Sequence, residues 1–193
     1  MRRTERDEVT SRAGRPRASS REVLAEAASE LFLEQGYEAT SIAEIAARAG
    51  VSRSSFFNYA ASKGALLWGG LDERIDALED ALERATPAAA VRALAHDFAP
   101  DALALALANA EAMGLVAELE REAALRRARI GRVVARALRR RGADPLAAEV
   151  GGAAYGGAVL AAVERWSLAG PGRSDLAATL DAALDAIRAI PLD

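Results

Sequence analysis

Cysteine is absent from the 193 residues, and histidine occurs once, as His96. Without thiols there is no disulfide, no thiolate metal site and no cysteine nucleophile. A single histidine also argues against a histidine-rich metal centre or a Ser-His-Asp triad. Metal-ligand spacings, phosphate-binding glycine loops and nucleophile motifs are missing, so the chain reads as a non-enzyme that needs no cofactor. Residues 1–20 are polar and arginine-rich, with none of the apolar core of a signal peptide. The longest near-apolar run, Val150 to Val163, is closed by Glu149 and Glu164 and is short for a bilayer span. These absences predict a soluble, cytoplasmic protein with no membrane partner. Its length suits one compact unit or two small ones.

Lysine is nearly absent as well: of 25 basic side chains only Lys63 is not an arginine. Charge is unevenly spread. Residues 1–21 carry seven arginines against Glu5, Asp7 and Glu8, a net +4 that leaves −7 for the rest of a chain whose net charge is −3. Such a basic, Gly/Pro-punctuated front end reads either as an arm that seeks an anionic polymer or as a solvated tail.

What is present is helix-forming sequence. Alanine is abundant, β-branched residues are sparse, and no alternating run is flanked by hairpin signals, so the predicted class is all-α. Leu24, Ala28, Leu31 and Phe32 fall at helical spacing, and Gly36 is a natural stop. Ser41 and Glu44 fit a capping box ahead of an apolar stripe formed by Ile42, Ile45, Ala46 and Ala49. Ser52 can cap a short third helix through Tyr59, and Ser62 a fourth over about 63–84. Further helices are predicted at about 87–98, 101–111, 115–141, 145–168 and 175–189, punctuated by Gly114, Gly142 and the stretch AGPGRS.

Two short helices joined by a tight turn at Gly50, the second opening Ser-Arg-Ser-Ser, describe a helix-turn-helix. Arg53, Ser54 and Asn58 can face outward toward base edges and phosphates, while Val51 and Phe56 can anchor the helix inward. Tyr59 and Lys63 lie at its far end, where a phenol and a compact ammonium suit phosphate oxygens. The alternative is an ordinary set of core helices with a lysine at one helix start.

The stretch LAEAASELFLEQGYEATSIAEIAARAGVSRSSFFNYAASKGALL, residues 24–67, resembles the N-terminal DNA-binding domain of the TetR family of transcriptional regulators. That resemblance implies a phosphate contact from Ser41, base reading by Arg53, Ser54 and Asn58, and backbone contacts from Ser55, Tyr59 and Lys63. Phe57 stands where many members carry a phosphate-binding tyrosine. Ala60-Ala61 replaces a common Phe-Pro pair, and Gly64 a common glutamate. SRAGRPRASS, residues 11–20, resembles the arginine arm that precedes the first helix in many such regulators. Arg15 and Arg17 would then enter a minor groove or attract the DNA backbone non-specifically. The implied organisation is a flexible basic arm over 1–20, a DNA-binding domain over 21–64 and a helical effector-binding and dimerisation domain over 65–193. The implied function is a dimeric repressor released from a palindromic operator by a small molecule. An architectural DNA-binding protein without ligand control is the alternative.

In the C-terminal half, Trp68, Leu71, Ile75 and Leu78 form a stripe at helical spacing. Trp68, Leu71, Phe98, Leu107, Met113 and Tyr155 are candidate pocket walls, with core packing the plainer reading, and His96 reads as a surface or rim residue. The Trp-Gly after Ser-Lys resembles a TetR branch that includes mycofactocin-associated regulators responding to acyl-CoA. It implies an acyl or acyl-CoA-like effector, with an aromatic molecule second. The arginine clusters of 120–142 read as a solvated face or, less simply, as a phosphate site. Four glycines in 151–157 each cost roughly 1 kcal/mol against alanine in a helix. Close helix approach at a homodimer interface would offset that, and so would room for a ligand tail.

Overall fold

The computed structural model describes residues 20–170, 173 and 175–189. The predicted arm, with Arg15 and Arg17, lies outside the described residues. Those described form helices and connecting turns, with no strand among them.

Three short elements make the N-terminal unit: α1 (Ser20–Gln35), α2 (Ile42–Arg48) and α3 (Arg53–Phe56). Leu24, Ala28 and Phe32 of α1 and Ile45 of α2 are wholly buried, and Phe56 of α3 closes the same core. The capping box forms as its spacing predicts. The Glu44 amide donates to Ser41 Oγ at 3.2 Å, and the Ser41 amide donates to the Glu44 carboxylate at 2.8 Å. Gly50, at φ +70°, supplies the left-handed residue that turns the chain from α2 into α3.

The predicted fourth helix is broken. α4 (Lys63–Leu66) stops at Leu67, Trp68 precedes the next helix without a side-chain cap, and α5 (Gly69–Arg84) restarts on Gly69. Gly69 and Gly70 are poor helix formers, and a side chain on either would press on a neighbouring side chain. Arg21 lies against Gly69 and donates to its carbonyl at 3.1 Å, while Phe98 lies against Gly70. α3 likewise ends before Tyr59, and the helix predicted over 87–98 shortens to α6 (Pro87–Arg92) and one 3-10 turn, Ala93–Ala95. The next splits into α7 (Asp101–Ala108) and α8 (Ala110–Met113), and Gly114 then turns at φ +66°.

The frame of the larger unit is α9 (Val116–Arg140), α10 (Pro145–Ala169) and α11 (Leu176–Ala189). α10 is longer than its apolar run and, by length and composition, could cross a bilayer. Here it packs between α9, α11 and α7, with Val159, Leu160, Val163 and Trp166 buried. The glycines explain the packing. A Cβ on Gly156 would strike the Arg127 carbonyl of α9, and one on Gly152 would strike the Gly131 carbonyl and lie 2.9 Å from Ala135 Cβ. Gly152 and Gly156 therefore face α9 of their own chain. They neither form a bare face for a second copy nor hold open a ligand channel. Only Gly157 of this group opens onto free space.

Helix propensity alone predicts that Gly156→Ala stabilises the protein by about 1 kcal/mol. Packing predicts the opposite, because the obstruction is backbone that cannot swing aside. The expected result is a loss of roughly 1–3 kcal/mol in denaturant unfolding.

Candidate nucleic-acid interface and cavity

α3 is held by one apolar anchor and one serine. Phe56 is fully buried, and the Ser55 amide donates to Ser52 Oγ at 3.1 Å. Ser52 Oγ also lies 2.8 Å from the hydroxyls of Ser54 and Ser55, so three serines share one small network. Arg53, Ser54, Phe57 and Asn58 are exposed, whereas Ser55 and Tyr59 are half-buried. The outward face predicted for base reading is therefore presented. Phe57 also belongs to that face; sequence reading marked it only for a missing hydroxyl. Nothing in the sequence separates Phe56 from Phe57, since both are apolar and only packing buries the first. Ser41 is exposed, but its hydroxyl is 2.7 Å from the Glu44 carboxylate. Hydrogen bonds from Ser41 hold that carboxyl below its ordinary range.

Lys63 is engaged inside the protein. Its ammonium donates to the carbonyls of Tyr37 at 2.5 Å and Thr40 at 2.9 Å, and it sits 4.0 Å from the centre of the Tyr37 ring. It thereby ties the turn between α1 and α2 to the start of α4. An ammonium has three donors, and the two carbonyls use two of them. The lone lysine thus has a structural use that the sequence did not disclose.

The same turn is joined to the larger unit. The Tyr37 amide donates to the Met113 carbonyl at 2.8 Å. Burial, and the Glu118 carboxylate beside it, push the Tyr37 phenol well above its ordinary range. Glu118 fills the space that a side chain on Gly64 would need, its Cγ only 2.7 Å from that Cβ position. Arg121 grips Glu118 with two bonds, 2.7 and 3.1 Å, and holds its carboxyl below the usual carboxylate range. Arg121 also reaches Glu122 at 2.9 Å, and Glu122 pairs with Arg126. Both members of that pair are buried, so each charge depends on the other. Arg126 meets Asp72 at 2.5 Å and lies 4.9 Å from the centre of the Trp68 ring.

Trp68 is a wall of a cavity of about 290 Å³ between α7, α9 and α10. Apolar side chains, among them Leu107, Val116, Leu119, Leu160 and Val163, supply most of the remaining lining, with Arg127, Glu120 and Glu164 as its charged members. The buried Trp68 indole N–H has no hydrogen-bond partner among the described residues. Of the six predicted wall residues, the structure brings Trp68 and Leu107 together. Leu71 and Phe98 line a separate gap of about 10 Å³, too small for a ligand, because α10 and α11 close over them. Met113 is fully buried beneath the Gly36 turn, and Tyr155 packs against the core outside the cavity linings. The missed lining from α9 follows a helical rhythm, Val116, Leu119, Ala123 and Arg127, that is visible once both partner helices are known.

The arginine clusters are divided rather than pooled. Arg129 pairs with Asp76, Arg136 and Arg140 with Glu79, and Arg139 with Glu149, while Arg141 donates to the carbonyls of Leu82 and Ala85. They lace α9 to its neighbours. His96 is exposed, as its surface reading predicts. Along the outer side of α10 and α11 runs a groove of about 930 Å³ walled largely by alanines and Gly157.

Residues 24–67 match the family described as bacterial regulatory proteins of the tetR family, and residues 85–190 match the MftR C-terminal domain. A Mycobacterium tuberculosis protein assigned as the mycofactocin biosynthesis transcriptional regulator MftR is 36% identical over 73 residues, 38% of this chain. The match spans only 37% of that relative's length. Among solved structures, Thermus thermophilus FadR, a TetR family repressor in complex with lauroyl-CoA, is similar at 26% identity and a TM-score of 0.45. It covers 87% of this chain and 93% of its own. NalD, a repressor of a multidrug efflux pump in Pseudomonas aeruginosa, is similar at 20% identity and a TM-score of 0.49, covering 90% and 96%.

The Glu118 contacts predict a pH signature. Because its carboxyl is held below the ordinary value of 4.5, the stability it contributes is complete above about pH 4.5 and fades as pH falls through the lowered value. Glu118→Gln should therefore be less stable than the parent at neutral pH, with the difference vanishing in acid. Thermal unfolding of both proteins from pH 3 to 7 checks this.

Proposed function

Since the chain belongs to the TetR family of bacterial regulatory proteins, with a C-terminal domain of the MftR type, we propose that it is a dimeric, cytoplasmic repressor released from a palindromic operator by an apolar, acyl-type effector. The observation that carries the DNA-binding half is the outward face of Arg53, Ser54 and Asn58 on a helix anchored by Phe56. Arg53 matches the fork geometry of guanine, and Asn58 that of adenine. Ser41, Ser55, Tyr59 and the third donor of Lys63 would hold the backbone. Residues 21–64 are net −2, so the arginines of 1–20, net +3, would supply much of the attraction to phosphate. Arg15 and Arg17 belong to that contribution.

A repressor of this kind needs two recognition helices about one helical turn apart, roughly 34–36 Å. The groove along α10 and α11 is the surface we assign to the homodimer, since small side chains allow two further helices to approach closely. The effector would occupy the cavity behind Trp68. Its apolar walls suit an alkyl chain, and the unpartnered indole N–H suits one acceptor oxygen of a thioester or carboxyl. The ligand must favour the DNA-incompetent arrangement, because only differential affinity shifts the population. The contacts from Trp68 through Arg126, Glu122, Arg121 and Glu118 to Tyr37 are the route by which the cavity would bias the recognition helix.

Two measurements test this reading. Against an operator selected from randomised duplexes, Arg53→Ala should cost about 1–3 kcal/mol per half-site and relax one base preference. Lys63→Ala should instead weaken operator and random DNA alike and lower the salt slope by roughly one per site. In operator-release titrations, acyl-CoA thioesters should act better as their chains lengthen, and Trp68→Ala should blunt the response. Release by a polar metabolite alone would overturn the effector assignment.

A further inference from the structure

Phe57 is a large apolar side chain set among hydrogen-bonding ones. It is 51% exposed, while its neighbour Phe56 is fully buried, and the two rings meet edge to face at 5.5 Å. Its backbone is still helical, at φ −69° and ψ −10°, so it extends the face begun by α3. On that face Arg53, Ser54, Phe57 and Asn58 occupy positions i, i+1, i+4 and i+5, and all four are exposed. At 100° per residue, the phenyl ring projects between Arg53 and Ser54. Any surface that meets those three polar residues also meets the ring.

An exposed phenyl group loses free energy to water, and an interface returns it only through an apolar partner. The ring has no donor or acceptor, so it cannot hold a phosphate oxygen. In the major groove the base edges present donors, acceptors and one apolar group, the thymine C5 methyl. From this we infer that Phe57 reads sequence directly, by packing on a thymine methyl next to the bases contacted by Arg53, Ser54 and Asn58. The inference rests on the DNA-binding reading above and adds a base preference to it.

The test uses the full chain and an operator selected from randomised duplexes. Each thymine is replaced in turn by deoxyuridine, which removes the methyl and leaves every hydrogen-bonding edge intact. One thymine per half-site should respond, weakening binding by about fourfold per half-site, the value of one buried methyl. Phe57→Ala should bind thymine and deoxyuridine operators equally, with an unchanged salt slope. Phe57→Leu, still apolar, should keep part of the discrimination, which a folding defect would not do. The inference is overturned if no thymine responds, if selected half-sites contain none, or if Phe57→Ala discriminates as well as the parent. Failure to select any operator would remove the DNA-binding reading itself, which separates the two failures.

Discussion

The backbones of α9 and α10 meet without side chains between them at Gly131, Gly152 and Gly156, and the rest of the larger unit is arranged around that contact. A Cβ on Gly131 would lie 3.2 Å from the Gly152 carbonyl, and the opposing positions are tighter still. Val134, Ala135 and Ala137 of α9 and Ala148, Val159 and Val163 of α10 are all buried. The helical propensity lost at each glycine is offset by this packing. Once the two helices are fixed, α5 is laced to α9 by its acidic residues, α11 lies along α10, and both 25-residue helices contribute to the cavity beside Trp68. A wider separation would dissolve each of these at once.

The join between the two units carries charged contacts as well as apolar ones, since one buried core runs from Leu24, Phe32 and Phe56 through Trp68 to Met113 and Leu115. The turn after α1 is held from three directions: by the Lys63 ammonium, by the Met113 carbonyl and by Glu118 of α9. Such contacts are directional and depend on charge, so they can exchange partners at less cost than a packed core can be rearranged. Gly64 makes the arrangement possible, because any side chain there would expel Glu118. The buried Glu122–Arg126 pair continues the same line of charges to the cavity wall.

Much of this organisation could be read from the residues. The all-α class, the capping box at Ser41, the N-caps at Ser52 and Ser62, and the outward setting of Arg53, Ser54 and Asn58 all follow from local rules, and the structure presents them as read. Caps and helical faces depend on residues within one or two turns of each other, and this makes them legible. The break at Leu67 and Trp68 was not legible, because it depends on Arg21 and Phe98 occupying the space beside Gly69 and Gly70. Nor was the cavity: Leu71, Phe98, Met113 and Tyr155 have the chemistry of pocket walls, but the packing of α10, α11 and α8 assigns them elsewhere.

By itself, then, the sequence determined the helical class, the capped helix starts at Ser41, Ser52 and Ser62, and the exposure of Arg53, Ser54 and Asn58. Tertiary structure decided everything that depends on two distant segments sharing one space. It turned the glycines of α10 toward α9 in the same chain and spent Lys63 on the turn after α1. It also paired the arginines of α9 with the acids of α5 and chose which apolar side chains border empty volume. The reason is physical: local structure is set by hydrogen bonds and torsions within a few residues. Cavities, close approaches and contacts between helices are set by shape and charge that segments apart in sequence bring together.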